Sequence, residues 1–373
     1  MKRNIILAAI SLAIAISPAI ADDEEVVSER PTVAFRPAVI DAVDRIIIPG
    51  YDALAAKAAI EAERVSDLCF QADDERLALA REGFGALVLA WSTVEMFRFG
   101  PVRDENRYER LFFWPDPRGR GLQQVQGILG SEDASATAVE TLRGKSVAVQ
   151  GLFALEFVLF GTGSDTLADT AASDRSFRCR YGAAIAGAIA RTTRDLDDAW
   201  KAEDGYAGLM RDAGPDNPVY RSHGEVVQEL IKSCREQTQL DQQLKLAFTI
   251  GATPDKAKPK LAPFWRSNLT IPSIRANLAA VVSLCGPDGI GAILPESADW
   301  QAGSLAFEMS SADHALAGIS RGDTPWESVV ADEHGHDTLR YVQIPLGGAV
   351  ELLEQGYPAA FGLITGFNSL DGD

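Results

Sequence analysis

Long segments with an apolar residue at every third or fourth position dominate this sequence, and they constrain its fold more than any other feature. Residues 51–68 and 77–99 show the pattern, and the second segment stops at Gly100-Pro101, a pair that commonly ends a helix. The same spacing recurs over 141–160, 181–200, 219–248, 274–284 and 346–363. Because alternating runs of β-branched residues are scarce, the sequence predicts an all-α protein of bundled helices whose apolar faces turn inward.

Residues 161–178 separate two stretches of similar helical content. Their composition shifts to Gly, Ser, Thr and Asp, which is typical of a linker. We therefore predict an N-terminal helical bundle over residues 22–165 and a C-terminal one over residues 166–373. An ancient duplication would produce two such bundles, but the two halves share no clear residue pattern.

The N-terminus has the pattern of a bacterial secretion signal. Lys2 and Arg3 precede an apolar run over residues 5–16, and Ala19-Ile20-Ala21 offers a small-residue cleavage site. Cleavage after Ala21 would release a periplasmic protein. No later stretch looks long and apolar enough to span a membrane, so we expect no transmembrane anchor after signal removal.

The charge balance narrows the class of partner. The formal net charge of −18 argues against nucleic acid or an anionic membrane surface as partner. It suits a cationic ligand, and it also serves solubility alone.

The four cysteines predict two disulfides, because their count is even and the chain carries an export signal. Three pairings are open on sequence alone. We favour Cys234–Cys285 together with Cys69–Cys179, since the first keeps one bridge within the C-terminal half.

Trp91, Glu95 and Arg98 are spaced to line one face of a helix. Their neighbours are strongly apolar, so both charged groups are expected to be less exposed than most. Two interpretations stay open: a structural ion pair near the helix end, or a polar site in the bundle core or in a cleft. Arg98 would also suit a second carboxylate, Glu156, that requires a cationic partner.

Glu156 is the single carboxylate in the apolar segment 151–161. An unpaired ionised carboxylate costs on the order of several kcal/mol or more in an apolar site, so it must be paired, neutralised or bound to a ligand. Phe153 lies three residues earlier, on the same helical face. The pattern Gly151-x-Phe153-x-x-Glu156 resembles the Gly-x-His-x-x-Glu signature of the imelysin family.

Further segments resemble the same family along nearly all of the mature chain. They are residues 91–101, 113–116, 264–267, 273–278 and 366–372. The resemblance implies two helical bundles in one compact body, with the motif helix near a cleft between them. It also implies an exported or surface-anchored bacterial protein associated with iron uptake or iron-regulated expression. The founding type of the family is described as a metallopeptidase, and the motif His and Glu are its proposed metal or catalytic residues.

Phe153 stands where the family has its histidine, and a phenyl ring neither coordinates a metal nor transfers a proton. Glu156 alone is a weak metal site, because a metallopeptidase needs about three protein ligands and an open position for water. We therefore expect a protein that is not an enzyme. It would take part in the acquisition of iron or another divalent metal by binding a metal ion or a small ligand, in contact with an envelope transport protein. The expected cleft site consists of Trp91, Glu95, Arg98, Phe153, Glu156, Arg266 and Ser267.

Two other functions stay open. A metal-dependent peptidase of the imelysin type would recruit its ligands elsewhere, and residues 332–337 offer His334 and His336 beside three carboxylates. The same segment is also typical of a solvated acidic loop. The third interpretation is an envelope interaction scaffold whose buried polar residues are purely structural.

Overall fold

The computed structural model describes residues 34–172, 175–320 and 324–363. Over these ranges the chain forms helices and no strands, which confirms the predicted all-α class. The predicted signal peptide with its cleavage site after Ala21 lies outside the described residues, as does the segment 366–372.

The α-helices are, in chain order, α1 (Phe35–Ala42), α2 (Ile48–Phe70), α3 (Asp74–Val94), α4 (Arg107–Leu111), α5 (Arg120–Ser131), α6 (Val139–Arg143), α7 (Leu152–Phe160), α8 (Arg175–Lys201), α9 (Tyr206–Arg211), α10 (His223–Gln239), α11 (Phe248–Ile250), α12 (Thr270–Cys285), α13 (Trp300–Ile319), α14 (Trp326–Ala331), α15 (Glu333–Glu351) and α16 (Tyr357–Phe361).

Helices α2, α3 and α8 form the first packed group. Helix α2 lies against both α8 and α3, and its buried residues recur every three or four positions, as expected for one apolar face. The Cys69–Cys179 disulfide ties the end of α2 to α8. Although α8 lies beyond the predicted boundary at residue 165, its contacts group it with α2 and α3.

Helices α10, α12, α13 and α15 form the second packed group. Helix α13 packs along α15, and α10 packs on α12, to which the Cys234–Cys285 disulfide joins it. Both disulfides thus have the pairing favoured above. Helix α12 also packs against α3, so the two groups share one continuous apolar core. The described residues from 34 onward form one compact unit.

The predicted helix over residues 141–160 is wrong, because three shorter pieces occupy it: α6, a 3₁₀ turn at Val147–Val149, and α7. The reason lies at Gly151. A Cβ there would sit 2.5 Å from the carbonyl oxygen of Arg110 and 2.7 Å from that of Leu111. The backbone at Gly151 is extended, so a new helix begins at Leu152, against the end of α4.

Residues 297–304 and 321–337 have a composition typical of loops, yet the residues of both segments that the structure describes are largely helical. Helix α13 covers most of the first, and α14 with the start of α15 covers most of the second. The side chain of Asp332 accepts a hydrogen bond from the N–H of Gly335 at 2.9 Å and caps α15. The acidic segment is therefore a helix N-terminus.

Within the described ranges, two helical segments are long and apolar enough to cross a membrane by length and composition alone, Asp74–Val94 and Thr270–Ile293. The expectation that no such stretch follows the signal is therefore too simple. Half of each apolar window is buried inside the protein, and α3 and α12 pack against each other there. The core helices of a soluble protein pass the same test.

Candidate functional site

Helix α7 is apolar on nearly all sides and almost wholly buried, and it carries Glu156 into the interior. The Glu156 side chain has no exposed surface. Its Oε1 accepts hydrogen bonds from the backbone N–H of Ser267 at 3.0 Å and from the Ser267 hydroxyl at 2.8 Å. Among the residues that the structure describes, its Oε2 has no hydrogen-bond partner. One oxygen of this buried carboxyl is thus held and the other is free.

Burial raises the pKa of Glu156, and the Ser267 hydrogen bonds and the Arg266 guanidinium only partly oppose that rise. The site therefore favours the neutral carboxylic acid more than water does. The interpretation of Arg98 as the cationic partner of Glu156 is wrong. Arg98 lies beside Glu95, and the guanidinium that acts on Glu156 belongs to Arg266.

Aromatic rings cover the same face of α7. The Phe153 ring stacks on Phe264 with 5.2 Å between centroids and 3° between planes, and Phe112 lies 5.4 Å from Phe153. Phe264 has a φ of 57°, in the left-handed region, and its carbonyl oxygen lies 3.1 Å from the Ser267 hydroxyl. This turn brings Ser267 to Glu156, so the motif helix and residues 264–267 build one site.

A cavity of about 260 Å³ adjoins Phe153. Five of its lining residues are aromatic, and three carry a charge. Apart from small residues, Leu122, Val125 and Leu261, the lining consists of Phe113, Trp114, Phe153, Phe157, Trp265, Asp116, Lys260 and Arg266. A small, mostly apolar cavity with a few polar groups is typical of a small-molecule site.

Arg266 is the half-buried cation of this cavity. Its guanidinium lies over the Trp265 ring, 4.4 Å from the centroid, and 5.5 Å from that of Phe157. Burial lowers the pKa of Arg266, while the charges of Glu156 and Glu327 act in the other direction. Its charge faces aromatic rings and is not paired with a carboxylate of the described residues.

The other two charged residues of the lining already have partners. Lys260 is exposed, with its Nζ 3.6 Å from Glu327 Oε1. The two carboxylate oxygens of Asp116 accept the backbone N–H groups of Arg120 at 3.0 Å and Gly121 at 2.7 Å, at the start of α5. Asp116 is therefore held as a helix-capping group, and its negative charge lies where the α5 dipole favours it.

Trp91, Glu95 and Arg98 belong to a second polar cluster, but they do not line one helix face as predicted, because α3 ends at Val94 and both charged residues follow it. The Oε2 atom of Glu95 accepts hydrogen bonds from Lys245 Nζ at 2.9 Å and Asn277 Nδ2 at 3.1 Å. Its Oε1 lies 3.9 Å from a guanidinium nitrogen of Arg98. The structure therefore contains the ion pair of the first interpretation, but deeper in the core and with a lysine as the main partner.

Lys245 and Asp241 are the residues of this cluster that the sequence argument missed. Lys245 Nζ lies 2.9 Å from Asp241 Oδ1 and 2.7 Å from Asn277 Oδ1. Burial raises the pKa of Asp241 to about 7, against the opposing charge of Lys245. Burial lowers the pKa of Lys245, but Asp241 and Glu95 outweigh it and leave that pKa raised. In the sequence, Asp241 and Lys245 are opposite charges four residues apart with leucines beside them, and this pattern could have indicated a buried ion pair.

The expected site residues thus fall into two neighbouring clusters. Phe153, Glu156, Arg266 and Ser267 form one, and Trp91, Glu95 and Arg98 belong to the other. The Phe112 ring connects them, 5.8 Å from Trp91 and 5.4 Å from Phe153.

His334 and His336 do not form a metal site. His336 is buried, with Nε2 3.1 Å from the carbonyl oxygen of Ile250, whereas His334 is exposed. Two residues apart on a helix, they point in different directions. Across the described ranges no group of three or more His, Cys, Asp or Glu side chains is placed to hold a metal ion.

Comparisons with known proteins agree with this architecture. An imelysin-like protein from Psychrobacter arcticum is similar in structure with a TM-score of 0.73 at 18% sequence identity, over 89% of this chain and 97% of that one. A protein from Parabacteroides distasonis, which carries the provisional name iron-regulated protein A precursor, is similar with a TM-score of 0.67 at 14% identity, over 86% of this chain and 96% of that one. At these identities the likeness shows a shared fold. No curated protein matches the chain.

The sequence model of the imelysin family, which is named as peptidase M75, matches residues 47–343. This range is well over half of the chain and includes both polar clusters. The protein therefore belongs to the imelysin family.

Proposed function

We propose that this protein is an exported, periplasmic binding protein that acts in iron or other metal acquisition and is not an enzyme. The observation that carries the proposal is the motif helix itself. Where the family signature has an imidazole, Phe153 forms the wall of a cavity of about 260 Å³, and the neighbouring Glu156 is buried with one oxygen free. This arrangement favours holding a ligand over activating water.

The residues around Glu156 do not fit a bare metal ion. Glu156 offers one free oxygen, Phe153 offers no donor atom, and the Arg266 guanidinium repels a cation. A hydrolytic metal would need about three protein ligands, which this site does not supply. Metal would therefore reach this protein as the cargo of a bound molecule.

Export is supported by the two disulfides. Cys69–Cys179 and Cys234–Cys285 employ all four cysteines, and such bridges persist in oxidising compartments such as the bacterial periplasm. The name of the Parabacteroides neighbour points to iron, and we extend that association to this chain only as part of the proposal.

The test of the proposal is growth of a deletion strain in iron-limited medium. Leu122 lines the cavity from α5, so Leu122→Trp should fill it. Leu129 lies on the same helix, is also partly buried and is outside the lining, so Leu129→Trp is the matched control. We expect the wild type and Leu129→Trp to restore growth and Leu122→Trp to fail.

Two outcomes would replace the proposal. If Leu122→Trp restores growth as well as the wild type does, the cavity has no part in metal acquisition. This result would favour the interpretation as an envelope interaction scaffold. Chelator-sensitive peptide hydrolysis that is lost in Glu156→Gln would instead establish the peptidase.

A further inference from the structure

We propose that the cavity beside Phe153 binds a small aromatic carboxylate, with its acid group at Arg266 and its ring among the aromatic side chains of the lining. This inference rests on the proposed binding function and names the class of ligand. It follows from three features of the cavity: its size, its rings and its charge.

Size and rings favour a single flat ring. The volume of about 260 Å³ lies just below the roughly 300–1,000 Å³ of drug-sized sites, so the ligand must be small. Phe113, Trp114 and Phe157 line the cavity together with Phe153 and Trp265. Aromatic groups pair with such side chains in stacked or edge-to-face geometry, with a gain of about 0.5–1.5 kcal/mol beyond the burial of area.

Charge favours an anion. Arg266 lies over Trp265 and is not ion-paired within the described chain. A guanidinium presents a planar fork that matches a carboxylate with two parallel hydrogen bonds. Lys260 lies over the same Trp265 ring, 5.4 Å from its centroid, and adds a second positive charge at the cavity.

The negative charges nearby do not cancel this preference. Asp116 is committed to the N–H groups of Arg120 and Gly121. Glu156 is held by Ser267, and burial favours its neutral form. Glu327 also acts on Arg266, but it lies 3.6 Å from Lys260. An aromatic carboxylate would supply the direct ion-pair partner that Arg266 lacks among the described residues.

The test is calorimetric titration of the full-length mature protein with benzoate, phenylacetate and salicylate, each against its neutral amide. Trp114 and Trp265 line the cavity, so quenching of tryptophan fluorescence gives a second readout. We expect saturable binding of at least one acid, and binding at least about tenfold weaker for its amide, since the amide loses the charge-assisted pair. Rising salt should weaken binding of the acid only.

Variants locate the site. Arg266→Met should remove the difference between acid and amide, whereas Arg266→Lys, which keeps the charge, should retain part of it. Lys260→Met should weaken acid binding by a smaller factor, because Lys260 is exposed and already near Glu327. Lys258→Met is the matched control, since Lys258 lies over Phe248 and outside the cavity lining. Far-ultraviolet circular dichroism shows that each variant is folded.

The inference is overturned if all three acids fail to bind at millimolar concentration, if the amides bind as tightly as the acids, or if Arg266→Met leaves the acid preference intact. These results are independent of the growth assay. A cavity that is required for growth but takes no aromatic acid would keep the proposed function and remove this ligand class. Acid binding together with normal growth of Leu122→Trp would keep this ligand class and remove the cavity's part in metal acquisition.

Discussion

In the part of the chain that the structure describes, four acidic side chains, Glu61, Glu95, Glu156 and Asp241, have no exposed surface, and the protein accommodates them in different ways. Glu95 and Asp241 share Lys245, Glu156 is held by Ser267, and both oxygens of Glu61 lack a hydrogen-bond partner. A buried carboxylate must be paired or neutral. Glu95 and Asp241 are therefore paired with Lys245, although burial also raises the pKa of Asp241, and burial pushes Glu61 and Glu156 toward the neutral acid.

Glu61 gives the clearest prediction of pH dependence. Burial raises its pKa to about 9, and Arg64 only partly opposes the rise. Because the folded value lies above the unfolded value of about 4.3, its contribution to stability is complete at low pH and is lost as the pH rises toward 9. Glu61→Gln keeps the neutral form, so it should raise the free energy of unfolding by on the order of a few kcal/mol near pH 8 and by only about 1 kcal/mol near pH 5.

Urea unfolding at both pH values measures this effect. Glu63→Gln, on the exposed side of the same helix, is the control and should change stability by less than about 0.5 kcal/mol. An equal effect of Glu61→Gln at both pH values would show that Glu61 does not titrate as its burial implies.

Lys245 allows a second prediction at this scale. It is 1% exposed and contacts two carboxylates at 2.9 Å. Lys245→Met would leave Glu95 and Asp241 buried without their main cation, and we expect a loss of about 3–5 kcal/mol in the free energy of unfolding. The triple variant that adds Glu95→Gln and Asp241→Asn should recover much of this loss, because no unpaired carboxylate remains.

The surface variant Lys201→Met is the control for Lys245. Lys201 also contacts a carboxylate, Asp197, at 2.8 Å, but its side chain is 42% exposed. Its loss should cost less than about 1 kcal/mol. If Lys245→Met lowers the free energy of unfolding equally little, water rather than Lys245 must stabilise the charges of Glu95 and Asp241.

At the scale of elements, Gly151 decides where α7 begins. A Cβ at this position would meet the carbonyl oxygens of Arg110 and Leu111 at 2.5 and 2.7 Å, and backbone atoms cannot move aside as a flexible side chain can. Gly151→Ala should therefore lower the free energy of unfolding by about 2 kcal/mol or more. It should also weaken ligand binding, since α7 carries both Phe153 and Glu156.

Gly127→Ala should have the opposite effect on the stability of the same fold. Gly127 lies inside α5, and a Cβ there would meet no atom within 4 Å. Replacing an unhindered helical glycine should raise stability by about 0.5–1 kcal/mol. Thermal unfolding of both variants measures the contrast, and a neutral Gly151→Ala would show that α7 can shift without cost.

These elements also show which parts of the structure could be predicted from the sequence. The apolar spacing of α2 and α8 reports their packed faces, so the all-α class follows from local pattern. The break before α7 depends on a contact with residues 110–111, and no local pattern contains it. Helix α13 was missed because alanine, glycine and serine fill much of its first half and weaken its apolar period.

The same distinction holds for the candidate site. Phe153 and Glu156 are adjacent on one helix face, so a motif reveals them. Lys245 is 150 residues from Glu95, and Ser267 is 111 residues from Glu156. Only the fold brings these partners together, which is why the sequence argument assigned Arg98 to the wrong carboxylate.

For the whole molecule, the candidate site lies where the two groups of helices meet. Glu156 belongs to α7, which packs on α3 and α8, and Ser267 immediately precedes α12 in the second group. Glu95, directly after α3, makes a similar contact with Asn277 of α12. Each disulfide lies within one group, and the junction between the groups is held by noncovalent contacts alone in the part of the chain that the structure describes. A ligand at this junction would contact both groups.

The two disulfides should stabilise the protein independently of each other, and this links its stability to its compartment. Cys69–Cys179 spans 110 residues and Cys234–Cys285 spans 51. By loop entropy in the unfolded chain, replacing either pair with alanine should lower the free energy of unfolding by about 4–5 kcal/mol, slightly more for the longer loop. Because the pairs lie in different helix groups, the two losses should add.

Urea unfolding of the wild type, each double variant and the quadruple variant tests this expectation. The protein made in the cytoplasm without residues 1–21 should contain reduced thiols and unfold at the same urea concentration as the quadruple variant, whereas exported protein should be oxidised and more resistant. A loss below about 1 kcal/mol for either pair would contradict the argument from loop entropy. If the exported and cytoplasmic proteins are equally stable, the disulfides give no support to export.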